Sequence, residues 1–363
     1  MNKPIGIWSA EFHGTNGQAI VTRRVVEKII QKIGPAQLFV YRPAFSAGAV
    51  LIWLWCWMKL WSRRLLGDFA CLYVVPSRSN AGFVRDLPAL VLAKLGTRVV
   101  LHVHGSDLVN LLTQRRISGL ARWAYKSCDV VVPSRHLLSD LKECEFRALY
   151  VCENFWNPKD HPAAGHLPKN ASELQLLWNS NQIASKGILD VLKAMQSLEQ
   201  PVQLTLIGEQ LSDEEMDREM LSNEVARLIT SNQVKNLGSV SRGAADELVL
   251  SADAVVLPSR YSSECQPLSV LQAMCLGKAL IVSDTPAMRA TLGDYPADFV
   301  PVHDVDRLAK AIDRLALEKQ VDESAFRQRR MDLASVAQDR FSPDRFDHEI
   351  HGVLEGSSFA RQR

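Results

Sequence analysis

The sequence predicts an α/β protein built from two doubly wound parallel-sheet domains in tandem. Short β-branched runs alternate with amphipathic helical stretches along the whole chain, as strands and crossover helices do. The 363 residues suffice for two domains on a prior of roughly 100–200 residues each. The aperiodic segment Asn157–Ala171, rich in Pro, His, Gly and Lys, reads as the linker between them. Hydrophobic residues at 47% and charged residues at 23% exclude a disordered chain and provide for two buried cores. With 19 Gly and 16 Pro, a fibrous or low-complexity protein is excluded as well.

The first half carries predicted strands at Ile5–Trp8, Gln37–Tyr41, Cys71–Val75, Arg98–Val103, Val130–Pro133 and Ala148–Val151, with a helical pattern at Gln18–Ile33 after the first. The second half repeats the scheme at Gln175–Trp178, Gln203–Ile207, Val234–Leu237, Ala254–Leu257, Ala279–Val282 and Phe299–Val302. The repetition is of architecture; no tandem sequence repeat accompanies it. Met1–Ala10 is short and Glu11 follows before any long apolar core, so no secretory signal is expected. Ala47–Leu60 is the most apolar stretch, but its uncharged run falls short of the ~20 residues that span a bilayer. Trp53, Trp55, Trp57 and Trp61, followed by Arg63 and Arg64, suit an interfacial helix, because indoles favour the headgroup zone. The competing reading is a helix buried against a sheet.

The formal net charge of +2 hides an asymmetry: residues 1–165 carry 21 Lys/Arg against 11 Asp/Glu, a balance of +10, and the remainder balances at −8. Only the first half is therefore suited to a polyanion, whether a membrane surface, a phosphorylated substrate or a nucleic acid. No nucleic-acid-binding module is recognisable, so no nucleic-acid partner is expected. The seven cysteines, at 56, 71, 128, 144, 152, 265 and 275, are odd in number and form no CxxC pair. They read as reduced thiols of a cytosolic protein rather than a disulfide framework or a zinc site.

Ligands of doubly wound sheets bind beyond the carboxyl ends of the strands, often against helix N-termini. In Leu257–Leu280, LPSRYSSECQPLSVLQAMCLGKAL, a strand ends, a polar loop carries Glu264, and a helix opens at Pro267. The N–H groups of Leu268 and Ser269 then suit a diphosphate. Gln272 lies eight residues after Glu264, so both side chains can serve one extended ligand. Lys186, in Leu176–Ala194 (LLWNSNQIASKGILDVLKA), is a cation beside a helix start that can neutralise a pyrophosphate leaving group. In Leu101–Leu108 (LHVHGSDL), His102 and His104 raise a metal reading, but no third ligand stands at metal spacing, and no metal is expected. Gly14-Thr15-Asn16-Gly17 precedes the first helix without the GxGxxG of a dinucleotide site.

These segments resemble family 4 retaining glycosyltransferases of the GT-B fold, the group 1 glycosyltransferases of bacterial polysaccharide assembly. Glu264 matches the first glutamate of their Glu-x7-Glu segment, and Ala273-Met274 with Gly277-Lys278 match the helix that follows. Gln272 replaces the second glutamate, which in the family accepts hydrogen bonds from the nucleotide ribose, and Cys265-Gln266-Pro267 replaces a Gly-Phe-Gly turn. Lys186-Gly187 match the family's Lys-Gly pair; Asn181 stands where an arginine is usual, and Arg260 is the cation that could compensate. Asn16 and Gly17 fall on the glycine-rich first loop near the donor, and His104 on the histidine that lines the sugar pocket. Val131–Arg135 and Cys152-Glu153-Asn154 resemble weaker landmarks near the domain boundary.

The resemblance implies two Rossmann-like domains facing a central cleft: residues 1–160 binding the acceptor, 161–340 binding the nucleotide sugar, and 341–363 returning as a helix to the first domain. It implies a retaining transfer from a nucleoside-diphosphate sugar without a metal or other cofactor. Glu264, His104 and Lys186 would be catalytic; Asn16, Gly17, Asn181, Arg260, Leu268, Ser269 and Gln272 would bind the donor. The acceptor expected is a lipid-linked saccharide, held at the cytoplasmic face of the membrane by Trp53, Trp55, Trp57, Trp61, Arg63 and Arg64. The alternative is an inactive nucleotide-sugar-binding partner of the same fold, motivated by Asn181 and Gln272.

Overall fold

Most of the apolar runs become strands because they are covered on both faces, as parallel sheets between helices require, while the outer strand Val234–Gly238 is largely exposed. The structure, a computed structural model, describes residues 3–14, 17–33, 35–42, 46–67, 69, 71–77, 79–157, 173–356 and 361–362. The chain divides into two compact units, Met1–Asn154 with Pro343–Arg363, and Phe155–Ser342.

The first unit begins with β1 (Ile5–Ala10), α1 (Gly17–Lys28), β2 (Ala36–Tyr41), α2 (Ala47–Leu65), β3 (Cys71–Val74) and α3 (Asn80–Val91). It continues with β4 (Arg98–His102), α4 (Asp107–Thr113), α5 (Ser118–Tyr125), β5 (Asp129–Val132), α6 (Leu137–Leu141) and β6 (Ala148–Val151). The helical pattern expected to reach Ile33 ends as a helix at Lys28 and continues as a π-helical turn over Ile29–Ile33.

The second unit runs through β7 (Leu174–Asn179), α7 (Ile188–Met195), β8 (Val202–Ile207), α8 (Arg218–Leu228), β9 (Val234–Gly238) and α9 (Arg242–Ser251). There follow β10 (Ala254–Leu257), α10 (Leu268–Cys275), β11 (Ala279–Ser283), α11 (Pro286–Leu292), β12 (Asp298–Val300), α12 (Val305–Val321) and α13 (Glu323–Arg340). Last, α14 (Pro343–Glu355) and β13 (Arg361–Gln362) belong to the first unit. The expected linker lies outside the described residues from Pro158 on.

The first sheet has the order β13-β6-β5-β4-β3-β1-β2, parallel except for β13, which pairs antiparallel with β6 and is too short to show in the sequence pattern. The second has the order β12-β11-β10-β7-β8-β9, all parallel. Each sheet reverses direction of strand addition once, between β1 and β3 in the first and between β7 and β10 in the second. Such points open the backbone beyond the strand ends to a ligand.

Charged groups hold α14 to the first unit. Asp347, almost wholly buried, accepts Arg24 Nε at 2.7 Å and Nη2 at 2.8 Å, with Lys28 at 3.3 Å. Arg98 donates to the carbonyls of Leu354 (2.6 Å) and Val353 at the helix's last turn, where a cation is favoured.

Helix α2 corrects the interfacial reading in part. Its inner stripe is Ala49, Trp53, Cys56 and Leu60. Trp53 packs inward because its indole N–H reaches Arg42 O at 3.0 Å, and half-buried Trp57 donates to Arg85 O at 3.0 Å. Arg64 donates to Thr97 Oγ1 and to Leu95 O (3.0 Å), so its cation is engaged internally. The outer stripe is apolar nonetheless: Leu51, Leu54, Trp55, Met58 and Leu65 are exposed, with Arg63 exposed beside them and Lys59 half-buried. These positions repeat at helical spacing. No helix among the described residues is long and apolar enough to cross a membrane.

Replacing Asp347 by Ala leaves Arg24 and Lys28 without their buried counter-charge. The expected loss is about 3–5 kcal/mol of unfolding free energy, measured by urea titration. A loss below about 1 kcal/mol would mean that apolar packing alone seats α14.

Candidate functional site

At the reversal point of the second sheet three predicted residues converge. Lys186 ends a single 3-10 turn, Ala184–Lys186, between β7 and α7. Its Nζ donates to Ser180 Oγ at 2.8 Å and lies 3.5 Å from Glu264 Oε2. Glu264, in the loop between β10 and α10, also accepts from Ser259 Oγ at 3.1 Å. The two side chains are 16% and 13% exposed, shielded enough to strengthen the pair yet open to a ligand. One residue before Ser180, Asn179 Nδ2 donates to Gln272 Oε1 at 3.1 Å, and Gln272 Nε2 donates to Asp246 Oδ1 at 3.0 Å. Lys186, Glu264 and Gln272 thus lie along one polar strip at the carboxyl end of β7.

The local backbone explains this convergence. Gly187 has φ +84°, and a Cβ there would stand 2.5 Å from Pro258 O; at Gly208, φ +126°, a Cβ would stand 2.0 Å from Ser180 O. Only glycine lets the turns after β7 and β8 come this close to the strand ends. Asp213 pins the same turn, its Oδ2 accepting Ser185 N–H at 2.7 Å and its Oδ1 the N–H groups of Glu215 and Met216 at 2.9 Å each. Burial alone would raise the Asp213 carboxyl, but these hydrogen bonds hold it below the usual range.

Helix α10 starts without a side-chain cap: Pro267 is the residue before the first turn rather than within it, and Leu268 is the first helical residue. Val270 and Leu271 N–H reach back to Pro267 O at 3.1 and 3.2 Å, leaving the N–H groups of Leu268 and Ser269 at the head of the helix. Asn181 is exposed just beyond Ser180.

Arg260, the expected compensating cation, is paired within the unit. It donates to Asp190 Oδ2 at 2.9 Å and, through Nε and Nη2, to Glu215 at 2.9 and 2.6 Å, so two carboxylates already hold its charge. The sequence pattern did not show this, because Asp190 and Glu215 belong to distant segments.

In the first unit, His104 lines a narrow cavity at the carboxyl ends of β3 and β4, with Gln18, Pro76, Ser77, Gly105 and Asp107. Gly17 opens α1 at its edge, while Asn16 lies outside the described residues. His102, fully buried, bonds Tyr73 OH through Nδ1 at 2.8 Å and packs its ring 4.3 Å from that of His104. It is a packing residue. Among the described residues no group of three or more His, Cys, Asp or Glu is placed to hold a metal ion.

A buried network below this cavity was not predicted. Asp86 accepts Ser77 N–H at 2.8 Å, Trp8 Nε1 at 2.9 Å and Arg85 Nε at 3.1 Å, while Arg85 also donates to Tyr41 OH at 2.8 Å and to Ser77 Oγ. It fixes the loop that forms one wall of the cavity. Its signal was available: Arg85 and Asp86 are the only charged residues between Arg78 and Lys94, in an apolar helix.

Residues 167–331 match the model of a family described as glycosyl transferases group 1. No curated protein matches the sequence. Among solved structures, the chain is similar to sucrose-phosphate synthase from Thermosynechococcus elongatus (TM-score 0.76, 17% identity, covering 98% of this chain and 99% of that one). It is similar to Anabaena HepE in complex with UDP and glucose (TM-score 0.71, 13% identity, 97% and 100%). It is also similar to α,α-trehalose 6-phosphate synthase from Burkholderia multivorans (TM-score 0.68, 11% identity, 98% and 97%). At these identities the likeness establishes the fold, the two-domain α/β architecture called GT-B.

Burial holds the His102 imidazole down at about 3. Its folded value lies below its unfolded one, so the unfolded chain binds the extra proton as pH falls below about 6.5. Stability should then fall on acidification, by up to about 1.4 kcal/mol per pH unit from this residue. Unfolding free energies of the wild type and His102→Gln, compared between neutral and mildly acidic pH, should diverge with that sign. Parallel pH profiles would show that His102 charges freely in the folded state.

Proposed function

We propose that the chain is a retaining glycosyltransferase that moves a sugar from a nucleoside-diphosphate sugar to a lipid-linked saccharide in cell-surface polysaccharide assembly, exopolysaccharide or lipopolysaccharide. The observation that carries the reading is a cation just before a helix: Lys186, next to the N-cap Gly187 of α7, is held 2.8 Å from Ser180 Oγ and 3.5 Å from Glu264, which stands in the loop leading to the uncapped start of α10. The match of residues 167–331 to group 1 glycosyl transferases supports it, and the UDP held by the Anabaena relative supports a nucleoside diphosphate.

In this reading the diphosphate takes Lys186 Nζ and the N–H groups of Leu268 and Ser269. These groups stabilise the charge that develops as the bond from the sugar's anomeric carbon to the phosphate oxygen breaks. The acceptor hydroxyl attacks from the leaving-group face and passes its proton to a phosphate oxygen. The new bond keeps the donor's configuration, and no protein base is needed. Glu264 orients the sugar beside the breaking bond, His104 hydrogen-bonds a sugar hydroxyl, Gln272 contacts the nucleoside, and Asn181 contacts the donor where an arginine is usual. Gly17 lets the first loop approach the donor. No step calls for a metal, since the cation and the helix start perform its electrostatic task.

The acceptor side follows from charge and from α2. The first half balances at +10, and a polybasic surface gains about 1 kcal/mol per cation near anionic lipid. The exposed stripe Leu51, Leu54, Trp55, Met58 and Leu65 supplies the apolar anchor of a helix lying in the interface, with Trp61 half-buried and Arg63 exposed beside it. A polyprenyl-diphosphate-linked saccharide fits such a surface, since it never leaves the bilayer. The site of action is then the inner face of the cell membrane.

Glu264→Gln should lower the transfer rate at least about tenfold, or ~1.4 kcal/mol of barrier. Nucleotide affinity should stay equal or improve, because Lys186 loses its internal counter-charge. Lys186→Ala should weaken nucleoside diphosphate about tenfold and nucleoside less than about threefold. A fast Glu264→Gln enzyme, or equal losses for both ligands, would refute these assignments.

Sedimentation with vesicles should increase with anionic lipid content and decrease in a Leu51→Ser, Leu54→Ser, Trp55→Ser triple variant whose thermal midpoint is unchanged. Wild-type protein that stays in solution beside anionic vesicles at low salt would remove the membrane from this reading.

A further inference from the structure

The donor reading asks of position 272 only an acceptor oxygen, and leaves the Asn179–Gln272–Asp246 line without a task. Asp246 is 4% exposed and Gln272 9% exposed, so both are built into the unit. Asp246 Oδ1 receives Gln272 Nε2 at 3.0 Å and Gln272 Oε1 receives Asn179 Nδ2 at 3.1 Å. A carboxylate oxygen accepts hydrogen bonds and repels another acceptor, so Asp246 permits only one orientation of the Gln272 amide. Oε1 therefore points toward the end of β7, where Ser180 holds Lys186. An amide oxygen has two lone pairs; Asn179 takes one and the second remains for a ligand hydroxyl. A glutamate at 272 would set carboxylate against carboxylate at the same short spacing, which disfavours ionisation of one of them.

We propose that Asp246 is a positioning residue: it carries the negative charge of this subsite from the neighbouring helix and fixes Gln272 Oε1 to receive a hydroxyl of the bound nucleoside. Gln272 and Asp246 then require each other, and glutamine at 272 is an adaptation to Asp246 rather than a loss. The inference rests on the donor reading above.

The test compares the affinity of a nucleoside diphosphate with that of its 2′,3′-dideoxy counterpart, by calorimetry with UDP, GDP and ADP as probes. The wild type should prefer the hydroxylated ligand by about tenfold or more, as sites built to bond a hydroxyl do. Asp246→Asn, which lets the amide turn either way, should reduce that preference below about threefold while leaving the dideoxy affinity unchanged. Gln272→Glu should lose it too, and the double variant Asp246→Asn, Gln272→Glu, with one carboxylate again in the pair, should regain it.

An undiminished preference in Asp246→Asn, or in Gln272→Glu alone, overturns the positioning role. So does a double variant no better than its parents. Should Gln272→Glu fail to fold, by its thermal midpoint, Asp246→Asn decides alone. A wild type that binds none of the three diphosphates overturns the donor reading, and the inference with it. A wild type that binds them without preferring the hydroxylated form overturns the inference only.

Discussion

Lys186 is a cation held at the carboxyl end of an inner strand, β7, by Ser180 Oγ and by Glu264, and the turns around it serve to keep it there. An ammonium buried without a partner would cost several kcal/mol; one free in solvent would spend itself on water. Partial shielding between these limits leaves a charge that a diphosphate can recruit. The backbone makes this possible, because Gly187 and Gly208 bring two turns within distances that any Cβ would forbid. Asp213 fixes the same turn from its other side by accepting Ser185 N–H.

The two units place their chemistry by the same rule of topology. In each sheet strand order reverses once, and the candidate residues lie beyond carboxyl ends at or beside that reversal: Gly17 after β1 and His104 after β4 in the first, Lys186 after β7 and Glu264 after β10 in the second. Supporting shells differ. The second unit uses neutral and charged side chains along a strip from Glu264 to Asp246. The first uses a buried Arg85–Asp86 pair that grips Ser77 and thereby a wall of the His104 cavity. Both shells position reachable groups with buried hydrogen bonds, since precise placement needs partners that do not move.

Most of the strands from β1 to β12 were legible because inner parallel strands are apolar on both faces and leave a continuous signal. Glu264 and Lys186 could be placed beyond strand ends for a related reason: each stands between a strand and the helix that follows it, and Gln272 lies in the helix after Glu264. The inward turn of Trp53 and Trp57 was not legible. Their indoles seek backbone carbonyls of Arg42 and Arg85, and sequence spacing carries no information on such partners. The partners of Arg260 were not legible for the same reason, since Asp190 and Glu215 reach it only in the fold. The Asp246 partner of Gln272 is a third case, in which a substitution makes sense only beside a residue 26 positions away.

The central chemical claim is that sugar passes from a nucleoside diphosphate to an acceptor with its configuration kept. Proton NMR of the product reads this directly, with the chain incubated with UDP-, GDP- and ADP-sugars and vesicles bearing a polyprenyl-diphosphate-linked saccharide. The account predicts consumption of one donor and a new glycosidic bond with the donor's own anomeric configuration. An inverted bond would contradict the mechanism, and a full set of donors left untouched would contradict the function.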